Sequence, residues 1–412
     1  MDNERHPYSL FEVTGVELEY MIVDRNTLSV RPECDTLLKE VTGKITSDYE
    51  NGKIAWSNEL VNHVVELKTN GPVVSLIGLG DQFYKNVQEI NLILGSFNAM
   101  LLPTGAHPWM NPFTETQLWK HDYNRIYELY NRIFDCRGHG WSNLQSTHIN
   151  LPFSGDEEFG RLHAAIRIAL PLIPALCAST PILDGVITGF TDSRLEKYRH
   201  NQKKIASIAG KVIPEAVFTE KDYYTKIFNP IIRDITPYDH EGVLEHHFLN
   251  SRGAIARFDR GAIEIRIIDI QECPKADLAI VELLVVLLQW LVNEHSISYH
   301  DQKKWHEDDL AKILIATILD GENAEVHDAD YLKIFGLKNS SALASEIWLS
   351  ILAQLKPSLR IPTYDLIKRI IQGGTLSSRI VKALEDDISM KKMRSVYGEL
   401  AKSLANNKPF KA

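Results

Sequence analysis

Apolar and polar residues alternate in four separated stretches of the chain. They are Gly15-Val16-Glu17-Leu18-Glu19-Tyr20, Val64-Val65-Glu66-Leu67-Lys68, Thr147-His148-Ile149-Asn150-Leu151 and Ala262-Ile263-Glu264-Ile265-Arg266-Ile267. A period of two predicts a strand with one apolar and one polar face. The polar sides then carry Glu17 and Glu19, Glu66, His148 and Asn150, and Glu264 and Arg266. Like charges side by side on a sheet repel, so the Glu17–Glu19 pair asks for a cation. Any one stretch alone reads first as a solvated strand face. Four together read as one sheet whose polar face is a site.

The remaining periodicity fills in the architecture. Strands are predicted over 9–23, 60–69, 243–249, 254–258 and 262–270, with a turn at 24–26 and a short returning strand near 29–31. Helical spacing covers 35–41, 75–100, 115–134, 156–178, 192–210 and 275–293, and everything after 300 reads as helical. Pro171 and Pro174 predict a kink in the fourth of these helices. Residues 101–105 read as a short extended piece, 106–112 as a rigid two-proline loop and 211–241 as mostly loop. The fold class is α+β: an antiparallel sheet, helices packed on its apolar side and a helical C-terminal region. The division is a catalytic domain over 1–300 and a helical region over 301–412 packed on the same domain.

Composition narrows the function. The 412 residues carry a net charge of −9, which argues against a general nucleic-acid binder. The four cysteines, Cys34, Cys136, Cys177 and Cys273, are widely spaced with no CxxC, so neither a disulfide scaffold nor a zinc site is suggested. Met1–Pro7 is charged and has no apolar signal-like run. The greasiest segment, 278–292, is shorter than the ~20 residues of a membrane span and contains Glu282 and Gln289. A cytoplasmic protein with no membrane or nucleic-acid partner is expected.

The polar face has the chemistry of phosphoryl transfer. Magnesium prefers oxygen ligands, and Glu17, Glu19, Glu66 and Glu264 supply them. His148 adds a ring nitrogen, although taken alone it reads as a satisfied structural histidine. Arg266 offers a fork-shaped donor to a phosphoryl group or a salt bridge to Glu264. Glu59 stands seven positions before Glu66, an odd spacing that puts it on the opposite face unless it lies in a loop. Arg257 and Arg260 flank the last hairpin turn, within reach of a nucleotide. His107 reads as turn packing against Trp109. The basic run Arg194, Lys197, Arg199, Lys203 and Lys204 reads as a solvated helix face, and His246-His247 as strand neighbours facing opposite ways. No P-loop, dinucleotide fingerprint or Gly-x-Ser-x-Gly elbow occurs, so ATP, if used, binds through metal on the sheet.

The motif order is Gly-x-Glu-x-Glu, an acidic strand, a Gly-x-His-Pro-Trp loop, a His-x-Asn strand and a Glu-x-Arg strand before an apolar helix. Over roughly residues 10–295 this resembles the second family of glutamate–cysteine ligases and the related carboxylate–amine ligases. The resemblance implies a glutamine-synthetase-like core, a curved antiparallel sheet whose concave face holds ATP and two or three magnesium ions. It implies an ATP-dependent ligase that joins an amino-acid carboxylate, with the γ-carboxylate of glutamate as the candidate, to an amine through an acyl phosphate. By motif, Glu17, Glu19, Glu59, Glu66 and Glu264 match magnesium ligands, His148 the histidine near the metals and Arg266 the phosphoryl contact. A homo-oligomer is a family-level expectation. Where many relatives carry His-Val-His-Val-Gly, this chain has His148-Ile149-Asn150-Leu151-Pro152. The alternatives are a phosphotransferase that stops at a phosphorylated product and a non-catalytic magnesium–ATP sensor.

Overall fold

The computed structural model describes residues 8–122 and 124–411, so the Met1–Pro7 stretch lies outside the described residues. The main sheet has eight strands: β1 (Gly15–Asp24), β2 (Asp48–Asn51), β3 (Ile54–Asn58), β4 (Val64–Thr69), β5 (Ala99–Leu102), β6 (Ser146–Pro152), β7 (Ala254–Arg257) and β8 (Ala262–Asp269). They run antiparallel in the order β2-β3-β4-β1-β6-β8-β7, and β5 also pairs with β1. All four alternating stretches therefore lie in one sheet, and β1 is its hub.

The apolar face is a closed core. Val16, Leu18, Tyr20 and Ile22 of β1 are fully buried with Trp56, Val65, Leu67, Ile149, Leu151, Ile263 and Ile265 from the neighbouring strands. Helix α1 (Cys34–Thr42) packs on the same cluster. So do the long helices α2 (Leu79–Gly95), which contributes Phe83, Val87, Ile90 and Leu94, and α5 (Pro274–Val292), which contributes Ile280, Leu283, Leu284 and Leu287. Between them in sequence come α3 (Asn124–Phe134) and α4 (Gly155–Ala169). Helix α4 ends before a 3-10 turn at Leu170–Leu172, where the two prolines break the predicted run.

The C-terminal region has α6 (Glu307–Asp320), α7 (Ala344–Leu355), α8 (Ile361–Gly373), α9 (Leu376–Leu384) and α10 (Met390–Asn406). Leu310, Trp348, Ile351 and Ile367 join the core already described. Helices α9 and α10 do something different. Met21 and Val23 stand on the same face of β1 as Glu17 and Glu19, and they are buried in a second cluster with Leu102, Ile380, Met393, Tyr397 and Leu400. The polar face thus ends at Met21, where the C-terminal helices cover it. No helix among the described residues is long and apolar enough to cross a membrane.

Several segments differ from the periodicity. The stretch predicted as strand at 243–249 is a helical turn over His246–Leu249. The predicted 115–134 helix forms only over Asn124–Phe134, because Leu118 pairs with Val61 in an isolated bridge. The predicted 192–210 helix is limited to Ser193–Tyr198 and a 3-10 turn at Lys203–Ile205. The predicted loop at 211–241 contains short helices between Glu220 and Ile235. The hairpin formed by β2 and β3 has no counterpart in the predicted elements.

Candidate functional site

Strand register arranges the polar face into rows. Lys68, Glu17 and His148 stand opposite one another on β4, β1 and β6. The next row places Ser57, Glu66 and Glu19 opposite one another on β3, β4 and β1. Ser146 of β6 closes that row, its backbone N–H and hydroxyl both donating to Glu19 Oε2 at 2.6 and 2.9 Å. On the other side Asn150 faces Gly15 and Glu264, and its amide donates to Glu17 Oε1 at 3.0 Å. A Cβ at position 15 would come to 3.0 Å from the Asn150 Cβ, which explains why glycine opens the Gly-x-Glu-x-Glu motif.

His148 sits at the centre. Its Nδ1 donates to Glu17 Oε2 at 2.7 Å, its Nε2 lies 2.8 Å from the Ser146 hydroxyl, and oxygens of Glu19 and Glu264 are each 3.8 Å away. Burial disfavours a charged imidazole, but the Glu19 charge and the Glu17 bond outweigh it and raise the His148 pKa to about 9. The same partnership holds Glu17 at about 2 against its own burial. Glu66 lacks that compensation. Burial and the Glu17 charge push it up to about 7, even though Lys68 Nζ lies 3.0 Å from its Oε2 and the Ser57 hydroxyl donates to that oxygen at 2.6 Å.

Glu59 resolves the parity problem posed by its spacing. It lies one residue past β3, in the connection to β4, and so is free of the strand's alternation. Oxygens of Glu19, Glu59 and Glu66 come within 4.8 Å of one another, as do the ligand atoms of Glu17, Glu66 and His148. Burial, with the charges of Glu66 and Glu19, pushes Glu59 well above the usual carboxylate range. This donor set fits magnesium: carboxylate oxygens that burial and mutual repulsion keep from ionising together, and that a divalent cation would neutralise.

The last strand adds the phosphoryl-facing chemistry. Arg266 Nε and Nη2 both donate to Glu264 Oε1, the first at 3.0 Å, and the arginine side chain is one-quarter exposed. A bulge interrupts the β6–β8 register between Ile265 and Ile268. The extra residue reverses the alternation, so Asp269, at odd spacing from Glu264, returns to the polar face opposite Ser146. There Asp269 is buried, pairs with Arg194 and accepts from Ser179 N at 2.7 Å and Thr180 Oγ1 at 3.1 Å.

Arg194 corrects the reading of its segment as a solvated face. It is 2% exposed, its Nη2 has no hydrogen-bond partner among the described residues, and its charge faces Glu19 as well as Asp269, whereas Lys197 and Lys203 do point to solvent and Lys204 donates to the Ile133 carbonyl at 3.2 Å. The signal missed was Asp192, whose side chain caps the short helix at Leu195 N and so fixes Arg194 inward. Ser57 and Ser146 also escaped notice, being small polar residues without periodic weight. His246 and His247 do not face opposite ways, since in a helical turn their rings lie 4.0 Å apart. His107 packs edge-on against Trp109 at 4.8 Å and its Nε2 bonds the Leu28 carbonyl at 2.7 Å.

The two candidate nucleotide arginines are placed unequally. Arg257 shares the polar face through its pairing with Ala262, but its fork is bound to Asp259 at 3.0 and 2.7 Å. Arg260 lies in the hairpin turn with its side chain 62% exposed and Asp259 3.9 Å away.

Comparison with known proteins bears on this geometry. The model of glutamate–cysteine ligase family 2 matches residues 13–324. An uncharacterised protein of Archaeoglobus fulgidus is 36% identical over 277 residues, 67% of this chain and 73% of that one. A Rubrobacter xylanophilus protein named "Putative glutamate--cysteine ligase 2-1" is 26% identical over 184 residues, so the match spans 44% of this chain and 45% of that relative. Among solved structures, the glutamate–cysteine ligase of Francisella tularensis in complex with AMP superposes with a TM-score of 0.63 at 14% identity, over 95% of this chain and 88% of that one. A bifunctional glutathione synthetase from Pasteurella multocida gives 0.59 at 12% identity, over 97% of this chain and 52% of that one.

Proposed function

The chain belongs to glutamate–cysteine ligase family 2, and from that premise we propose that it is an ATP- and magnesium-dependent ligase. It activates an amino-acid carboxylate, with the γ-carboxylate of glutamate as the candidate donor, as an acyl phosphate and joins it to an amine. The observation that carries this reading is the convergence of Glu17, Glu19, Glu59, Glu66, His148 and Glu264 on one sheet face beside Arg266. The Francisella ligase with AMP in its structure supports adenine nucleotide as the phosphoryl source.

Each residue has a task in that reaction. Glu19, Glu59 and Glu66 on one side, and Glu17 and Glu264 on the other, would hold magnesium. Magnesium supplies charge neutralisation for the nucleotide's phosphates. Arg266 turns its fork from Glu264 to the oxygens of the moving phosphoryl group, where charge develops. Ser146 and Asn150 fix the rotamers of Glu19 and Glu17. Ser57 and Lys68 do the same for Glu66 and leave its second oxygen for the metal. Arg194, buried beside this face, holds Asp269 and sets its charge toward Glu19. A carboxylate oxygen attacks the γ-phosphorus and ADP departs; the amine then attacks the acyl carbon and gives up a proton, the C–O bond to phosphate breaks, and amide and phosphate leave.

The test is ADP formation with magnesium, ATP and panels of amino acids and amines, with the product examined for an amide. ADP and amide should appear together for at least one pair. ADP with a stable phosphorylated product and no amide would assign the chain to phosphotransfer instead. Magnesium–ATP binding without ADP under every mixture would make it a sensor.

A further inference from the structure

Beyond the carboxylates, toward the β7 edge of the sheet, lies a flat aromatic surface that the reaction above leaves unused. Phe248 is 52% exposed, and the Arg257 guanidinium lies over its ring, 5.3 Å from the centroid. The bidentate bond to Asp259 fixes the plane of that guanidinium and neutralises its charge, and Arg257 is 7% exposed. The ring itself is held from below. Phe248 belongs to the turn His246–Leu249, whose two histidines pack on Phe228 at 4.6 and 5.3 Å. The Tyr130 hydroxyl of α3 donates to the Phe248 carbonyl at 3.1 Å, and the same tyrosine feels the charge of Arg266.

These contacts place the ledge at the rim of the site. Arg257 pairs with Ala262, two residues along β8 from Glu264 and on the same face. Sheet spacing puts it about 7 Å along and about 5 Å across from Glu264. Both ends of the Arg257 fork are held by Asp259 and the residue is 7% exposed, so it is closed to a phosphate or carboxylate, whereas the Arg266 side chain is one-quarter exposed. A rigid aromatic ring with one covered and one open face recruits another flat π system.

We propose that Phe248, backed by Arg257, is the stacking platform for the purine base of the nucleotide, with the phosphates running from it toward Glu264 and Arg266. This rests on the nucleotide-dependent reading above and adds the position of the base. It also gives Arg257 a role as a backing surface and not as a phosphate fork.

The experiment measures binding of magnesium–ATP and of magnesium–tripolyphosphate to the full chain by calorimetry. The wild-type protein is compared with Phe248→Leu, which keeps apolar bulk, and with Phe248→Tyr, which keeps the ring. Phe248→Leu should weaken ATP about 10-fold, the scale of one base–aromatic stack, and leave tripolyphosphate within about twofold. Phe248→Tyr should bind ATP like the wild type. Equal ATP affinity in Phe248→Leu and wild type overturns the platform while leaving the ligase reading intact. Equal loss for ATP and tripolyphosphate also overturns it, because the base is then not what Phe248 contacts. A wild-type protein that binds neither ligand overturns both the platform and the reading on which it rests.

Discussion

At the residue scale, the site is a balance of buried charges in which each cation has a named partner. Lys68 answers Glu66, His148 answers Glu17 and Arg266 answers Glu264. Glu59 has no such partner among the described residues, and burial with its acidic neighbours pushes it well above the usual carboxylate range. Removing one charge without changing shape tests the arrangement. Glu264→Gln keeps an acceptor for Arg266 but loses a metal ligand, and its turnover should fall about 100-fold or more with the melting temperature near wild type. Arg266→Lys should fall comparably, since an ammonium cannot replace a planar fork. Steady-state kinetics beside a thermal melt reads both, and retained turnover in Glu264→Gln contradicts its role. Glu17, Glu19, Glu66, His148, Glu264 and Arg266 were legible in the sequence because a strand's period fixes which way a side chain points. Asp269 was not, because the bulge before it inverts that period. Arg194 was not, because charge pattern alone does not distinguish an inward arginine from its solvated neighbours.

At the element scale, a long periodic segment announces itself and a short one does not. Helices α2 and α5 and strands β1, β4, β6 and β8 were readable because each repeats its pattern over several residues. The β2–β3 hairpin is four residues against five, and its clearest mark is the two-residue loop Gly52-Lys53 between paired Asn51 and Ile54. Gly52 has φ 67°, the conformation in which a hairpin turn places glycine first. A Cβ there meets nothing within 4 Å, so Gly52→Ala isolates the backbone strain. It should cost about 1–2 kcal/mol, read as a lowered denaturation midpoint with an unchanged slope. The His246–Leu249 turn was misread as strand because adjacent histidines and apolar residues carry no helical period over four positions. What fixes that turn is tertiary: Phe228 beneath the histidines and the Tyr130 hydroxyl on the Phe248 carbonyl.

At the scale of the whole molecule, the C-terminal helices and the catalytic sheet share the burial. Met21 and Val23 continue the line of Glu17 and Glu19 under α9 and α10. The buried Glu272–Arg379 pair, at 2.7 Å, ties α9 to the entry of α5, and Arg379 also donates to the Phe410 carbonyl at 3.1 Å. Buried histidines make part of this stability depend on pH. Burial, with the Arg167 charge, lowers His163 to about 3, while its Nδ1 bonds the Val217 carbonyl at 2.8 Å. Below pH 6.5 the unfolded chain takes a proton there that the folded imidazole refuses, so its contribution is full above 6.5 and is lost as pH falls toward 3. The melting-temperature advantage of wild type over His163→Gln should therefore narrow by a few degrees from pH 7 to pH 4, and an advantage that widens contradicts the neutral assignment. The central claim is that the carboxylate is activated by phosphorylation before an amine displaces the phosphate. The most direct measurement supplies a turning-over donor labelled with ¹⁸O in its reacting carboxylate and reads the isotope in the inorganic phosphate released. One ¹⁸O per phosphate, in step with amide formation, is the result predicted; phosphate free of label alongside amide would contradict the account.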